Sequence, residues 1–237
     1  MTPPPCVGTI TPSANRVVER ALAGILRHFP GLDSCVARIP FHGAGIGQPG
    51  DGYDHAPYIA AATQLAHARA DVICWNGSRG AGLGLDADRT LCAALSETAG
   101  RPATTAALAA RTLLDRMGAR LVGVVTPSAA GSATATAAGL GRDLAGVAAL
   151  GLTDNLASAW VGAEQVRALA REAARGHPDA ILLWSTNLEG WHLMAELEAE
   201  LGLPVIDAAA AGVWGCLDAL GVDPAPAAAL GRVFATR

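Results

Sequence analysis

The stretch VGTITPSA at residues 7–14 returns as VGVVTPSA at residues 122–129, and the two copies match at six of eight positions with an offset of 115 residues. Two further pairs of similar segments follow in the same order: ADVICWNGS (70–78) with DAILLWSTN (179–187), and GRPATTAALAARTLLDRMG (100–118) with GLPVIDAAAAGVWGCLDALG (202–221). Ordered similarity of this kind is typical of a duplicated structural unit. The chain is therefore predicted to contain two halves of the same design.

Short runs of Val, Ile and Leu alternate with Ala- and Leu-rich segments of helical period in each half. This alternation indicates βαβ units and a parallel sheet buried on both faces. The predicted strands lie near residues 6–11, 34–38, 71–76 and 101–105 in the first half and near 120–126, 147–151, 180–184 and 204–207 in the second. The predicted fold class is α/β, with two pseudo-symmetric lobes that each hold a four-stranded parallel sheet flanked by helices. Residues 1–117 plus 209–237 are assigned to the first lobe and 118–208 to the second.

The composition excludes several kinds of chemistry. All 17 basic residues are arginine, so a pyridoxal phosphate aldimine, a Schiff-base aldolase and a Walker A phosphate loop each lack the lysine that they need. Six histidines form no H-E-x-x-H motif, and five widely spaced cysteines form no C-x-x-C pair, so we expect no bound metal and no disulfide framework. No cofactor is predicted.

The charge and hydropathy patterns bound the partners. A net charge of −4 without a basic stripe argues against a nucleic-acid partner. No apolar stretch approaches the roughly 20 residues that span a bilayer, and the N-terminal residues lack the pattern of a signal peptide. We expect no membrane association and a cytoplasmic location, and a homo-oligomer is left open.

Polar loops follow the first and third predicted strands of each half. They are Thr11–Asn15, Asn76–Arg79, Thr126–Ser128 and Ser185–Asn187. In open α/β sheets, ligands bind beyond the carboxyl ends of the strands, where loops present free N–H groups. We therefore predict an active site in a cleft between the two lobes.

Several segments resemble one enzyme superfamily in their order and spacing. They are TPSANRVVE (11–19), GYDHA (52–56), VVTPS (124–128), NLASAWVGAEQV (155–166) and PVIDAAAAGVWGCLDALG (204–221). Taken together, they resemble the maleate isomerase and arylmalonate decarboxylase branch of the aspartate/glutamate racemase superfamily, over nearly the whole chain. The resemblance implies a cofactor-independent enzyme acting on a small carboxylate or dicarboxylate.

The same resemblance implies a cysteine after the third strand of each half, of which arylmalonate decarboxylases keep only the second. Gly77 and Ser185 stand at the matching positions here, with a one-residue ambiguity that could place Thr186 there instead. Both catalytic cysteines are thus expected to be substituted. An unassisted serine hydroxyl does not exchange protons at neutral pH as a thiol does, so the family's thiol mechanism does not carry over.

The decarboxylase pattern further implies a pocket of hydroxyl and backbone N–H groups that stabilises a carboxylate as an enediolate. The predicted substrate-binding residues are Ser13, Asn15, Ser78, Arg79, Thr126, Ser128, Thr186 and Asn187. Arg79 falls where the family has a small hydroxyl residue, and Ser128 falls where it has tyrosine. A guanidinium can hold a carboxylate with two parallel hydrogen bonds, which favours a substrate-anchoring role for Arg79.

Alternative roles are open for some of these residues. Asn15 could cap a helix or form a turn instead of contacting substrate, and Arg79 could be a solvated loop residue. Ser185 could be a nucleophile, a hydrogen-bond donor or a passive small residue. Asp207 could project into the cleft or cap the helix that follows it.

Other residues are weaker candidates for function. Glu189 and His192, three residues apart, could replace the missing thiols as an acid/base pair or could face solvent. Cys74 fits a packed core thiol better than a displaced nucleophile. The glycine clusters GAGIG (43–47) and GSRGAGLG (77–84) do not fit G-x-G-x-x-G in register and favour flexible loops, the second bordering the pocket.

Three functions follow from these alternatives. The leading hypothesis is an isomerase or decarboxylase-like lyase that acts on a small carboxylate through an enediolate-type intermediate. The second is a hydrolase in which Ser185 is the nucleophile and His192 the base. The third is a carboxylate-binding protein that keeps the cleft without the chemistry.

Overall fold

The computed structural model describes residues 3–41 and 48–237. The first sheet contains β1 (Cys6–Pro12), β2 (Asp33–Ile39), β3 (Val72–Trp75) and β4 (Ala103–Thr105). The second contains β5 (Leu121–Thr126), β6 (Asp143–Ala149), β7 (Ala180–Leu183) and β8 (Val205–Asp207). All the paired strands are parallel, with the orders β2-β1-β3-β4 and β6-β5-β7-β8. The identical orders confirm the predicted fold class. The glycine cluster at 43–47 lies outside the described residues.

Helices connect the strands and cover both sheets. They are α1 (Val18–Leu26), α2 (His55–His67), α3 (Gly80–Leu83), α4 (Leu85–Ala99), α5 (Ala106–Arg116), α6 (Ala130–Gly139), α7 (Asn155–Ser158), α8 (Ala163–Ala174), α9 (Met194–Leu201), α10 (Ala208–Ala219) and α11 (Arg232–Ala235), with a 3₁₀ helix at Ala225–Leu230. None of these helices is long and apolar enough to cross a membrane. The cytoplasmic location and the homo-oligomer stay predictions.

The duplicated segments occupy equivalent places in the two sheets. Gly8 in β1 and Gly123 in β5 both lie where a Cβ atom would collide with neighbouring atoms, at 2.8 Å from Ala70 Cβ and 2.7 Å from Ile181 Cδ1. The repeated glycine is therefore required by the close approach of the neighbouring residues.

The starts of β1 and β5 are also held in the same way. The Asp71 carboxylate accepts a hydrogen bond from Cys6 N at 2.9 Å, and Asp179 accepts from Leu121 N at 2.8 Å. Accepting these backbone hydrogen bonds lowers the pKa of Asp179.

The position of β6 differs from the prediction. The strand runs over 143–149 instead of 147–151, so it begins four residues earlier. Its start, Asp143-Leu144-Ala145-Gly146, contains an aspartate and a glycine, which are depleted in strands. Gly146 is required because a Cβ there would lie 2.1 Å from Ala173 O in α8, and Ala145 forms a bulge beside it. Tertiary packing thus selects a strand that local composition disfavours.

Helix α10 lies against the first sheet although it follows β8. A Cβ on Gly215 of α10 would lie 2.8 Å from Ala109 Cβ in α5. Asp218 of α10 also forms an ion pair with Arg116 of α5 at 2.8 Å. The last residues instead contact the second half, since Arg232 N donates to the Glu198 carboxylate of α9 at 2.8 Å. The proposed lobe boundaries stay a prediction.

Candidate active site

The polar loops of the two halves meet in one cleft that contains three adjoining cavities. The inner cavity, of about 90 Å³, is lined by Pro12, Phe41, Trp75, Gly77, Ser78, Arg79, Asn155, Ser185 and Thr186. The middle cavity, of about 270 Å³, shares Ser78, Arg79, Asn155 and Ser185 with it. The outer cavity, of about 580 Å³, shares Arg79, Ser128 and Asn155 with the middle one. Both halves therefore contribute residues to each of the three cavities.

Seven of the ten residues that the sequence predicts for the site line these cavities. They are Gly77, Ser78, Arg79, Thr126, Ser128, Ser185 and Thr186. Ser13, Asn15 and Asn187 do not line any of the three, and each makes hydrogen bonds within the protein instead. Their polar groups support the residues that do face the cleft.

Ser13 holds a wall of the inner cavity. Its hydroxyl donates to Phe41 O at 3.3 Å and accepts from Phe41 N at 3.2 Å. The Phe41 side chain in turn lines the inner and outer cavities. Ser13 therefore acts through Phe41 in this structure.

Asn15 caps α1 and joins the two halves. Its Oδ1 accepts from Val17 N and Val18 N, both at 2.8 Å, so it occupies the capping role that the sequence left open. Its Nδ2 donates to Thr186 Oγ1 at 3.2 Å. Because both ends of the buried amide are engaged, Asn15 orients Thr186 toward the inner cavity.

Asn187 is a second bridge between the halves. Its Oδ1 accepts from Arg16 N at 2.8 Å, and its Nδ2 donates to Asn155 O at 2.7 Å and to Ala14 O at 3.4 Å. The amide is almost fully buried. It therefore fixes both the loop after β1 and the residue Asn155, which lines all three cavities.

The strand register decides which residues of the two halves are equivalent. Ile10 pairs with Trp75 in the first sheet, and its counterpart Val125 pairs with Leu183 in the second. Two positions beyond these partners stand Gly77 and Ser185. The internal equivalence is therefore Gly77 with Ser185, and not with Thr186.

Trp75 explains the absence of a side chain at Gly77. A Cβ built on Gly77 would lie 2.3 Å from Trp75 Cζ2 and 2.4 Å from Cε2. Trp75 is fully buried and packs edge-on against Tyr58, with ring centroids 4.9 Å apart. A side chain at position 77 would displace an indole that packs against Tyr58, so glycine is the residue that fits without such a shift.

Ser185 and Thr186 present two hydroxyls at the opposite side of the inner cavity. Ser185 Oγ accepts from Asn187 N at 3.2 Å, which leaves its proton available to a ligand. Thr186 Oγ1 accepts from Asn15 as described, which likewise leaves its proton unused among the described residues. Both hydroxyls can therefore donate to a ligand.

Arg79 is the only charged side chain among the described residues that line the inner and middle cavities. Its Nη2 donates to Pro49 O, and its guanidinium carbon lies 6.0 Å from the centre of the Phe41 ring. Its Nη1 is buried without a partner among the described residues. A buried guanidinium N–H without an acceptor is energetically unfavourable.

The other titratable candidates lie away from the cavities. Glu189 pairs with Arg20 at 3.1 Å, and the exposed His192 ring lies 5.5 Å from the centre of the Trp191 ring. Neither lines a cavity. Cys74 is fully buried, its thiol lies 3.6 Å from Gly212 O, and its pKa is raised well above the ordinary value. It occupies the place of a core thiol.

Two buried carboxyl groups lie behind the cleft. Asp207 caps α10 by accepting from Ala210 N at 2.9 Å, and burial raises its pKa to about 7. Asp88 accepts from Tyr53 Oη at 2.8 Å, and burial raises its pKa to about 6. Neither lines the three cavities. Among the described residues, no group of three or more His, Cys, Asp or Glu side chains is placed to hold a metal ion.

Comparison with known proteins identifies relatives along the whole chain. The family model for arylmalonate decarboxylase matches residues 41–234. The chain belongs to the arylmalonate decarboxylase family. No curated protein sequence matches the chain significantly.

Solved structures of two enzymes in particular resemble this fold. A cysteine-to-serine mutant of maleate cis-trans isomerase from Nocardia farcinica, with a covalently bound succinylcysteine intermediate, is 25% identical over 97% of this chain and 98% of its own, with a TM-score of 0.86. A double mutant of arylmalonate decarboxylase in a liganded form, with glycine changed to cysteine and cysteine to serine, is 25% identical over 97% and 98%, with a TM-score of 0.81.

A third structure shares the fold at lower identity. Maleate isomerase from Pseudomonas putida S16, as a cysteine-to-alanine mutant with maleate, is 22% identical over 98% of both chains, with a TM-score of 0.86. Membership of the arylmalonate decarboxylase family and the shared fold support an isomerase or decarboxylase kind of activity.

Three residues that line the cleft are not predicted from the sequence. Asn155, Trp75 and Phe41 all face the inner cavity. The motif NLASAWVGAEQV carried a signal for Asn155, because it matched the family and begins with that residue. Nothing local marked Trp75 or Phe41, since apolar aromatic residues at strand ends are usually core.

Proposed function

We propose that the chain is a cofactor-independent isomerase or lyase that acts on a small carboxylate through an enediolate-type intermediate, with Gly77 and Ser185 in place of the two catalytic cysteines. The observation that carries the proposal is the inner cavity. Hydroxyl donors from both halves and one guanidinium line it, and none of its described lining residues is acidic. Such a set of donors favours an anion over a neutral or cationic ligand.

The proposed role of Arg79 is to hold one carboxylate of the substrate. Arg79 and the neighbouring Ser78 line the same cavity, and the guanidinium Nη1 has no hydrogen-bond partner among the described residues. A guanidinium in a largely desolvated site forms stronger hydrogen bonds than one in water, because the effective dielectric constant is lower. Arg79 thereby orients the substrate with its α-carbon toward Ser185 and Thr186.

The proposed role of Ser185 and Thr186 is to stabilise developing charge. In a decarboxylation, the bond between the α-carbon and the leaving carboxylate breaks, and its electron pair moves into the remaining carboxylate to give an enediolate. Two hydroxyls with unused protons can donate to those oxygens. Donors aimed at developing negative charge lower the activation barrier.

The proton that the α-carbon then takes up is proposed to come from water. The described residues that line the inner and middle cavities include no thiol, imidazole or carboxyl group. The inner cavity, at about 90 Å³, can accommodate water as well as a small anion, since one water occupies roughly 30 Å³.

The test measures CO₂ release from an α-substituted malonate and isomerisation of maleate, in D₂O, by NMR. We expect turnover in at least one assay, with a single solvent deuteron in any decarboxylation product. Ser185→Ala should lower kcat by about 100-fold, because one oxyanion donor is lost. Arg79→Lys should lower kcat/KM by about 10-fold or more, because an ammonium cannot reproduce the planar fork.

The matched control for Arg79→Lys is Arg89→Lys. Arg89 is exposed on α4 and pairs with Asp86. It should leave kcat/KM unchanged. Turnover that is the same in wild type and in both site variants would overturn the proposal.

A carboxylate-binding protein without turnover is the second candidate. It is favoured by the same lack of an acid/base group among the described lining residues. It predicts saturable binding of small carboxylates, dependent on Arg79, with no product in either assay. The hydrolase hypothesis lacks comparable support, because His192 lines none of the cavities that Ser185 faces.

A further inference from the structure

The middle cavity has an unusual lining for a pocket of its size. Six hydroxyl side chains surround it: Ser78, Thr126, Ser128, Ser132, Thr136 and Ser185. Asn155 and Arg79 add further polar groups, and Trp184 is the one large apolar side chain among its described lining residues. Ligand pockets are more often lined mainly by apolar side chains with a few polar groups.

Most of these hydroxyls have hydrogen-bonding capacity left. Thr126 and Ser132 bond to each other at 3.1 Å, and Ser132 also reaches Ala129 O. Ser128 and Thr136 make no side-chain hydrogen bond with another described residue, and the same holds for the amide of Asn155. Unused donors and acceptors therefore face the cavity from three different loops and helices.

Trp184 provides a fixed face on one side of this space. Its Nε1 donates to Ser78 O at 3.1 Å, across the two halves, which fixes the orientation of the ring. A rigid aromatic face beside several hydroxyl and amide groups suits a ligand that has C–H groups on one side and hydroxyls on the other. An aryl ring would fit the tryptophan but would leave the opposite groups without partners.

We infer that the substrate carries hydroxyl groups on the carbons next to its carboxylate, which places it among hydroxylated carboxylic acids rather than aryl-substituted ones. This inference rests on the proposed function, because the carboxylate is taken to bind in the inner cavity. The rest of the molecule then extends into the middle cavity, where its hydroxyls bond to Ser128, Thr136 and Asn155. A site built to bond hydroxyls discriminates against analogues that lack them, because its own polar groups lose their partners.

The test is calorimetric titration of the purified chain with a matched series of acids. Succinate, malate and tartrate share a four-carbon dicarboxylate skeleton and carry zero, one and two hydroxyls, and phenylsuccinate adds an aryl ring instead. All stereoisomers of malate and tartrate are included. Affinity should rise by about 3- to 10-fold per hydroxyl for the best isomers, and phenylsuccinate should bind no better than succinate.

Variants connect the effect to the middle cavity. Thr136→Val keeps the shape of the side chain. It should lower the affinity for tartrate by about 3- to 10-fold and leave the affinity for succinate unchanged. Ser128→Ala, at an exposed position where folding is not at risk, should act in the same direction. The control is Thr112→Val, whose hydroxyl bonds to Leu108 O within α5, away from the cleft.

The outcomes separate this inference from the function on which it rests. Equal affinity for succinate, malate and tartrate, or preference for phenylsuccinate, would overturn the inference and leave carboxylate binding intact. Loss of the hydroxyl gain in Thr112→Val as well would also overturn it, because the effect would not come from the middle cavity. Absence of binding by every acid at millimolar concentration would reject both.

Discussion

The loops after β3 and β7 occupy equivalent places in the two halves, yet their side chains are arranged differently. Each follows a strand that carries a tryptophan at or just after its end. In the register of the two sheets, however, Trp75 matches Leu183 and Trp184 matches Asn76. Because successive side chains of a strand point to opposite faces, this shift of one residue sends the two indoles in opposite directions.

As a consequence, the two tryptophans have different roles in the two halves. Trp75 remains in its own lobe and fills the space over Gly77, whereas Trp184 crosses to the other lobe and donates to Ser78 O. At the matched positions, the first loop therefore has Gly77, without a side chain, and the second presents the Ser185 hydroxyl. A duplicated scaffold can thus diverge in function through one position in a strand, without a change in topology.

The largest expected loss of stability follows from a change at the end of the loop after β7. Asn187 corresponds in register to Arg79, but its amide hydrogen-bonds to three backbone groups of the cleft. Asn187→Asp should lower the free energy of unfolding at pH 8 by about 4 kcal/mol, because a buried carboxylate would face two carbonyl oxygens. Urea denaturation measures this.

The control for that change is Gln64→Glu, an amide-to-acid substitution at an exposed position of α2. It should change the free energy of unfolding by less than about 0.5 kcal/mol. If Asn187→Asp is equally mild, the loop after β7 does not join the halves as described.

A smaller loss of stability is expected from substitutions at Gly77 and Ser185, the matched positions of the two loops. Gly77→Cys should lower the free energy of unfolding by about 3 kcal/mol, because the new side chain meets the Trp75 ring. Ser185→Cys should cost less than about 1 kcal/mol, because it faces the cavity. Both values follow from urea denaturation.

A second substitution tests whether the indole is the cause. In a double-mutant cycle, Gly77→Cys should lower the free energy of unfolding less in a Trp75→Leu background than in the wild-type background. Strict additivity of the two changes would contradict a steric role for Trp75. The equivalence of the two loops would then need another explanation.

The smallest of the three effects concerns the acids buried behind each loop. The pKa of Asp88 is raised from 3.8 to about 6, and that of Asp207 from 3.8 to about 7. A carboxyl group whose pKa is higher in the folded state imposes no ionisation penalty below pH 3.8 and its full penalty above the folded pKa. These two groups therefore make stability fall as pH rises from about 4 to 7.

Asp88→Asn should reduce the fall between about pH 4 and 6 by about 2 kcal/mol. The contribution of Asp207 should remain, because its pKa shift spans the whole range from about pH 4 to 7. Thermal or urea denaturation across this range, as a difference from wild type, isolates the contribution. Asp86→Asn, exposed on the same helix, is the control. An unchanged pH profile in Asp88→Asn would show that Asp88 is not the source.

The general layout of the cleft could be predicted from local patterns, and the family from the resemblance of several segments to known enzymes. The repeat of VGTITPSA defined two sheets, and polar residues after strands 1 and 3 of each half marked where a ligand would bind. Seven of the ten predicted site residues reach the cavities because strand ends in parallel sheets share one edge. The start of β6 was missed because packing against α8, and not strand propensity, selects Gly146.

The sequence by itself determined the two-sheet α/β fold, because strand and helix periodicity are properties of neighbouring residues. Only the tertiary structure decided that Asn15 and Asn187 hold the halves together, that Trp75 requires glycine at position 77, and that Ser185 is the counterpart of that glycine. The amides bond to partners as far as 173 residues away in the chain, and the strand register is set by pairing across a sheet. Neither is encoded in local spacing, because a hydrogen bond or a steric contact depends on distances that arise only when the lobes have folded together.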